Sequence, residues 1–266
     1  IPPHNLRVII SAINALIDNP QINVKELMQY VPGPDFPTGG IIYGLDGIKD
    51  AYLTGKGRIK VRARAGIEPG RNNKEPIVVT EIPYMVNKAA LIQQTADLVR
   101  NGKFEGISDI RDESDREGMR IVIELKRGEN ARLRLNQLYK HTKMEDTFGV
   151  IFLALDHGRP EVMNLKRALS CYLEHRKEII YRRTKYDLDK AEARAHILEG
   201  FKIALKNIDK VVDIIKKSKS RDDARNKLIS NFKLSEIQAN AILDMRLYQL
   251  TGMEQEKINN EYLELI

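Results

Sequence analysis

Cysteine is nearly absent. Cys171 stands alone, which excludes an internal disulfide and a cysteine-rich metal centre. One thiol is compatible with a reducing cytoplasm. Long apolar runs are absent too: no stretch approaches the roughly 18 consecutive apolar residues of a membrane-crossing helix, so none is expected. The opening residues, IPPHNLRVII, have neither the basic start nor the small-residue cleavage site of a secretory signal, and they do not begin with Met. The expectation is a cytoplasmic segment of a longer protein with no membrane partner.

Several catalytic signatures are missing as well. The five histidines form no HExxH and join no cysteine, so no metal site is expected. TGKGR (Thr54 to Arg58) resembles part of a phosphate loop, but GxxxxGK[ST] does not occur, so no ATP site is expected. No serine elbow or nucleophile–base pair is visible, and spacing singles out none of the ten tyrosines. Beyond Pro160 there is no proline, and only Gly200 and Gly252 of the seventeen glycines lie there. Proline and glycine punctuate turns, so the later part is expected to be long helices and the earlier part compact and turn-rich.

What is present fits a globular chain: 42% of residues are apolar and 30% charged, enough for a core and against disorder. The net charge of +7 permits a polyanionic partner. The first part mixes helices and strands. Asn5 is placed to cap a helix through Leu6, Ile9, Ile10, Ile13, Leu16 and Ile17, and Asn23 with Glu26 has capping-box spacing. PGPDFPTGG (Pro32 to Gly40) reads as a loop. Arg58 to Ala65, Ile77 to Ile82 and Met119 to Lys126 alternate like strands, and Asn87 is placed to cap a helix closed by Gly102. Farther on, Leu165, Leu169, Tyr172, Leu173 and Ile180 make one helical face. A second seam from Thr184 to Asn207 runs through Leu188, Ala191, Ala195 and Leu198, with Lys202 interrupting the heptad. Asp209 to Lys219 and Asp222 to Phe232 read as shorter helices. Ser235 and Gln238 have capping-box spacing before a helix that runs to Leu250 and is apolar on two sides, with Gly252 ending it. The fold class is α+β: a mixed α/β part followed by an all-helical part.

Lys56, Arg58, Lys60, Arg62 and Arg64 stand at every second position. In a strand they share one face, with Ile59, Val61, Ala63 and Ala65 on the other. Such a row can follow a phosphate backbone. It can equally be a solvated sheet face neutralised by nearby carboxylates. A second basic cluster, Lys166, Arg167, His175, Arg176, Lys177, Arg182, Arg183 and Lys185, reads as a solvated helix face, with phosphate contact as the alternative. Glu113, Asp115, Glu117, Gly118 and Glu124 have calcium-loop spacing, but the strand-like IVIEL that follows argues for an acidic turn.

Seven phrases resemble the A-subunit family of bacterial type IIA DNA topoisomerases: IPPHNL (Ile1 to Leu6), GPDFPTGGII (Gly33 to Ile42), GKGRIKVRARA (Gly55 to Ala65), EIPYMVNKA (Glu81 to Ala89), RDESDREGMRIVIELKR (Arg111 to Arg127), AEARAHILEG (Ala191 to Gly200) and AILDMRLYQLTGMEQEKI (Ala241 to Ile258). They keep the family's order and cover nearly the whole chain. AEARAHILEG and LTGMEQEK are more similar to the gyrase branch than to topoisomerase IV. The resemblance implies an ATP-dependent enzyme that supercoils DNA by passing one duplex through a transient double-strand break in another. It implies two A and two B subunits, with magnesium and ATP bound by the B subunits and none by this chain. The cleavage tyrosine of the family sits in an Arg-Tyr-Thr context, which does not occur here, so no catalytic residue is expected and the chain alone is expected to be inactive. The alternatives are the corresponding part of topoisomerase IV and a non-enzymatic DNA-bending scaffold.

The implied organisation is a tower domain over 1–154, a connector and long coiled-coil helix over 155–207, an exit-gate dimerisation domain over 208–252 and the start of a returning helix over 253–266. The implied DNA contacts are His4, Asn5 and the five-cation row. The implied gate residues, which would meet a second copy of the chain in a homodimer, are Ile237, Ala241, Ile242, Met245, Leu247 and Leu250. The implied location is the bacterial cytoplasm, with the nucleoid.

Overall fold

Asparagine side chains open helices in the first part of the chain, as their spacing predicts. In a computed structural model that describes residues 1–69, 75–246 and 252–266, Asn5 Oδ1 accepts from the Arg7 N–H at 3.0 Å and starts α1 (Leu6–Asp18). Asn23 and Glu26 bond each other's backbone reciprocally and start α2 (Val24–Tyr30). Each cap satisfies an N–H that has no intrahelical partner, worth about 1 kcal/mol. A short strand β1 (Ile41–Ile42) and an unforeseen helix α3 (Asp46–Thr54) follow.

The basic run then divides. Lys56–Arg62 is β2, and Arg64–Ile67 is β3 in a different sheet. The expected single strand from Arg58 to Ala65 is thus interrupted at Ala63, which is fully buried and donates its N–H to the Met144 carbonyl at 2.7 Å. The next elements are β4 (Ile77–Glu81), α4 (Lys88–Arg100, capped by Asn87), β5 (Ile107–Asp112), β6 (Ile121–Leu125), α5 (Ala131–His141) and β7 (Glu145–Ile151). One antiparallel sheet has the order β1-β2-β7 and the other β3-β4-β6-β5. The first buries Ile59, Val61 and Val150 against Leu16, Leu27 and Tyr52. The second buries Ile77, Val79, Ile121 and Ile123 against Leu91 and Leu138. Helix α3 lies unusually close to β2: a Cβ on Gly57 would stand 2.3 Å from the Gly47 carbonyl, so no larger residue fits there.

Residues 1–175 form one compact unit and Arg176–Ile266 the other. A boundary after Ala154 would cut through β8 (Leu153–Asp156), which pairs with β9 (Arg159–Val162) in a hairpin turned by His157 and Gly158, both at positive φ. The first unit therefore continues past 154.

Helix α6 is continuous from Leu165 to Lys206, joining the two predicted seams, as expected where no proline occurs and glycine waits until Gly200. In the second unit it is followed by α7 (Ile208–Lys217), α8 (Arg221–Phe232), α9 (Glu236–Leu243) and α10 (Gly252–Leu265). Their core holds Leu198, Phe201, Ala204, Val211, Leu228, Leu234, Ile242 and Ile258. Arg194 holds Glu261 by two hydrogen bonds of 2.6 and 2.8 Å, and Lys202 lies 3.9 Å over the Tyr262 ring, so the residue that interrupts the heptad has an aromatic partner on α10. The capping box of Ser235 and Gln238 forms as predicted, but α9 stops at Leu243 with Asp244 as its cap, short of Leu250. Gly252 begins α10 where it was expected to end the preceding helix. Leu247 and Leu250 lie outside the described residues.

Candidate nucleic-acid interface

The alternation predicted for β2 holds. Ile59 and Val61 are buried, and Lys56, Arg58 and Lys60 are exposed on the opposite face. Successive cations stand about 6.6 Å apart at the usual strand rise, close to two axial steps of roughly 3.4 Å along one DNA strand. Their cross-strand neighbours on β7 are Ile151, Gly149 and Thr147. None of these is charged, and two are small, so no β7 side chain directly opposite the row neutralises it. Among the described residues, Lys56, Arg58 and Lys60 have no carboxylate at ion-pair distance.

Arg62 and Arg64 differ. The cross-strand partner of Arg62 is Glu145, and its Nε pairs with that carboxylate. Its guanidinium also lies 3.8 Å from the Tyr43 ring centroid and 5.1 Å from that of Tyr139, whose hydroxyl donates to the Ala63 carbonyl at 3.0 Å. Arg64 pairs with Glu81 at 3.0 Å, and the same carboxylate accepts from the Gly40 N–H at 2.5 Å, which, with Arg64, holds Glu81 below the usual glutamate range. The five-cation row thus has both predicted characters. Three residues are open, and two are neutralised by carboxylates brought in from β7 and β4.

His4 and Asn5 are also occupied. His4 shares hydrogen bonds with the Pro2 carbonyl at 2.9 Å through Nδ1 and with the Tyr52 hydroxyl at 2.7 Å through Nε2. Burial lowers its pKa, although the Pro2 carbonyl works the other way. Asn5 caps α1 through Oδ1 and donates from Nδ2 to Asp35 at 3.2 Å. Both side chains are thus engaged within the chain, His4 through both ring nitrogens and Asn5, which stays exposed, through its oxygen and one amide N–H.

The acidic turn between β5 and β6 is stitched by arginines. Arg111 reaches Glu124, Glu113 and Asp109, and Arg120 reaches Glu68 and Glu113. Lys88, the first residue of α4, bonds Asp112 at 2.7 Å and, with Ser114, holds its pKa down to about 2. On α6, Arg167 pairs with Asp156, Arg182 with Glu178 and Arg183 with Asp187, in keeping with a solvated helix face.

The expected gate residues divide as well. Ile237 is 61% exposed, whereas Ile242 is 5% exposed and sits in the core of its own unit. Ala241 and Met245 are half-buried against that core. Ile242 therefore packs chiefly within its own unit, where the eight-residue α9 turns that side inward. Among the described residues, no helix is long and apolar enough to cross a membrane.

The first unit is thus α+β with an open cationic strand, and it is joined in sequence to an all-helical unit. The chain belongs to the A-subunit family of DNA gyrase/topoisomerase IV, whose model matches residues 1–266. It is 56% identical over 266 residues to the DNA gyrase A subunit of Clostridium acetobutylicum, 54% to that of Brachyspira hyodysenteriae and 53% to that of Helicobacter pylori. Each match covers all of this chain and 32% of the relative, so the chain spans about a third of the length of the curated relatives it matches.

Proposed function

We propose that this chain is the DNA-contacting shoulder and exit-gate portion of a gyrase A subunit. The enzyme it serves passes one duplex through a transient double-strand break in another and introduces negative supercoils using ATP. The observation that carries the DNA reading is the exposed row Lys56, Arg58 and Lys60, uncompensated beside Gly149 and Thr147. Relatives that carry the gyrase name support the choice of enzyme. The partners are double-stranded DNA, the gyrase B subunit, and a second copy of this chain's own subunit. The setting is the bacterial cytoplasm and nucleoid.

Magnesium and ATP belong to the B subunit in this reading. Among the described residues of this chain, no three His, Cys, Asp or Glu side chains converge to hold an ion. Of the carboxylates around the acidic turn, Asp112, Glu113 and Glu124 are held by Lys88, Arg111 and Arg120. The cleavage nucleophile is not assigned to any tyrosine here, since Arg-Tyr-Thr does not occur. What this portion supplies is phosphate contact along β2 and a helical surface around Ile237 for a second copy.

The test uses the full-length protein with Lys56, Arg58 and Lys60 all changed to Ala. DNA affinity falls about equally for all sequences, and the slope of log affinity against log salt falls by up to roughly 0.9 per lost phosphate contact. An unchanged slope overturns the DNA role of the row. Incubated with supercoiled plasmid, magnesium and ATP, the 266-residue chain alone forms no covalent adduct; an adduct would place the nucleophile among its ten tyrosines.

A further inference from the structure

The turn between β4 and α4 breaks a conformational rule. Val86 donates its N–H to the Pro83 carbonyl at 3.1 Å, which closes a four-residue turn. Its third position is Met85, at φ 68°, while Tyr84 at the second position is not among the positive-φ residues. That is the type II pattern, in which the third position goes to Gly or Asn because a Cβ is disfavoured there. Met at that place costs conformational energy, and burial returns nothing: Met85 is 82% exposed. The residue before it is well anchored. The Tyr84 ring stacks on Phe36 with centroids 5.4 Å apart and lies 5.9 Å from Phe148. An apolar side chain is thus held out into solvent on an aromatic base. A broken local rule with no structural return points to function.

Its location connects it to the cation row. Pro83, Tyr84 and Met85 line a cleft of about 280 Å³ together with Asp146, Thr147, Phe148 and Gly149 of β7. β7 is an edge strand, and Thr147 and Gly149 are the cross-strand partners of Lys60 and Arg58. Directly opposed residues share a face, so Thr147 and Gly149 lie on the cations' face, whereas Val61, Asp146 and Phe148, which also line the cleft, lie on the other; the cleft wraps the β7 edge beside the cation row. Asp146, the partner of Val61 on the other face, repels phosphate from the far side.

We propose that Met85 is an apolar finger that touches the deoxyribose wall of a duplex minor groove while Lys56, Arg58 and Lys60 hold the adjoining phosphates. The proposal rests on the DNA reading above and adds a second, uncharged contact to it. A thioether has no donor to read bases, but it packs well on irregular apolar surface, and methionine is among the side chains that proteins place in minor grooves. One side chain is also far smaller than the helix or β-ribbon that fits the major groove.

The experiment compares the full-length protein with Met85→Asn, Met85→Ala and the Lys56/Arg58/Lys60 triple alanine. Asn tolerates positive φ, so Met85→Asn keeps or raises the melting temperature while it lowers duplex affinity roughly fivefold, as expected for losing part of the burial of one Met side chain. Met85→Ala lowers affinity similarly, and both leave the salt slope unchanged. Met85→Cys, in a Cys171→Ser background, forms a disulfide with a thiol tethered in the minor groove and not with one in the major groove. If the triple variant flattens the salt slope while both Met85 variants bind as wild type, or if cross-linking favours the major groove, the finger is overturned and the phosphate row stands. If the Met85 variants also flatten the slope, Met85 only orders the cations and the finger is again overturned. If the triple variant leaves the slope unchanged, the phosphate row itself fails.

Discussion

The guanidinium carbon of Arg62 lies 3.8 Å from the ring centroid of Tyr43, on the sheet face that also carries Lys56, Arg58 and Lys60. With Glu145 and Tyr139 completing its surroundings, Arg62 joins β1, β2, β7 and α5 around the point where the chain passes between the two sheets. Its charge is used internally, and that separates it from its neighbours in the row.

Arg62→Ala is therefore expected to lower stability by about 1–2 kcal/mol, from two cation–π contacts and a partly screened ion pair. Arg64 is more open, with 60% of its side chain exposed, and Arg64→Ala should cost no more than about 0.5 kcal/mol. Urea unfolding of both variants checks this. Arg62→Lys is not a rescue, because an ammonium cannot stack on Tyr43 as a planar guanidinium does. Equal midpoints for Arg62→Ala and Arg64→Ala would sink the assignment.

His4 makes stability depend on pH. Its folded pKa lies below the ordinary histidine value of 6.5, chiefly because burial penalises the charged ring. The unfolded chain then binds the proton more readily than the folded one. Stability is full above about pH 6.5 and declines as pH falls through that value toward the folded pKa. Between pH 7.5 and 5.5 most carboxylates are still ionised, so the loss over this window should be smaller in His4→Gln than in the wild type. Identical losses in urea midpoint would show that His4 does not titrate with folding.

Gly200 is a close-contact point of α6 with α9. A Cβ there would lie 2.8 Å from both Cβ and Cγ of Gln238, atoms too close to the backbone to swing away. Alanine is the better helix former by about 1 kcal/mol, yet overpacking costs typically 1–3 kcal/mol. We expect Gly200→Ala to be net destabilising by about 1 kcal/mol in denaturant unfolding. A more stable variant would mean that the helices separate freely.

Ile237 and Ile242 test the gate against the core. Ile237→Glu places a charge on a 61% exposed site and should leave helicity intact while weakening self-association in ultracentrifugation. Ile242→Glu buries an unpaired charge at a site 5% exposed and should unfold the second unit, visible by circular dichroism. Wild-type association for Ile237→Glu would remove that residue from the interface.

The capping asparagines, the Ser235 box and the uninterrupted helices beyond Pro160 were legible because they depend on residues within a turn or two. The strand β7 was not. EDTFGVI is half polar, and its extended form rests on pairing with β2, which lies far away in sequence. Helices α3 and α5 were missed for a similar reason. Each buries only a few residues, Ile48, Ala51 and Tyr52 in one and Ala131 and Leu138 in the other, against sheets the sequence does not display.

The sequence alone determined that cations alternate with apolar residues from Lys56 to Arg64, since strand geometry turns that spacing into two faces wherever the strand lies. Only the tertiary structure decided which cations stay open. Ion pairing depends on distance in space, and the carboxylates of Glu145 and Glu81 reach Arg62 and Arg64 only after β7 and β4 have paired with β2 and β3.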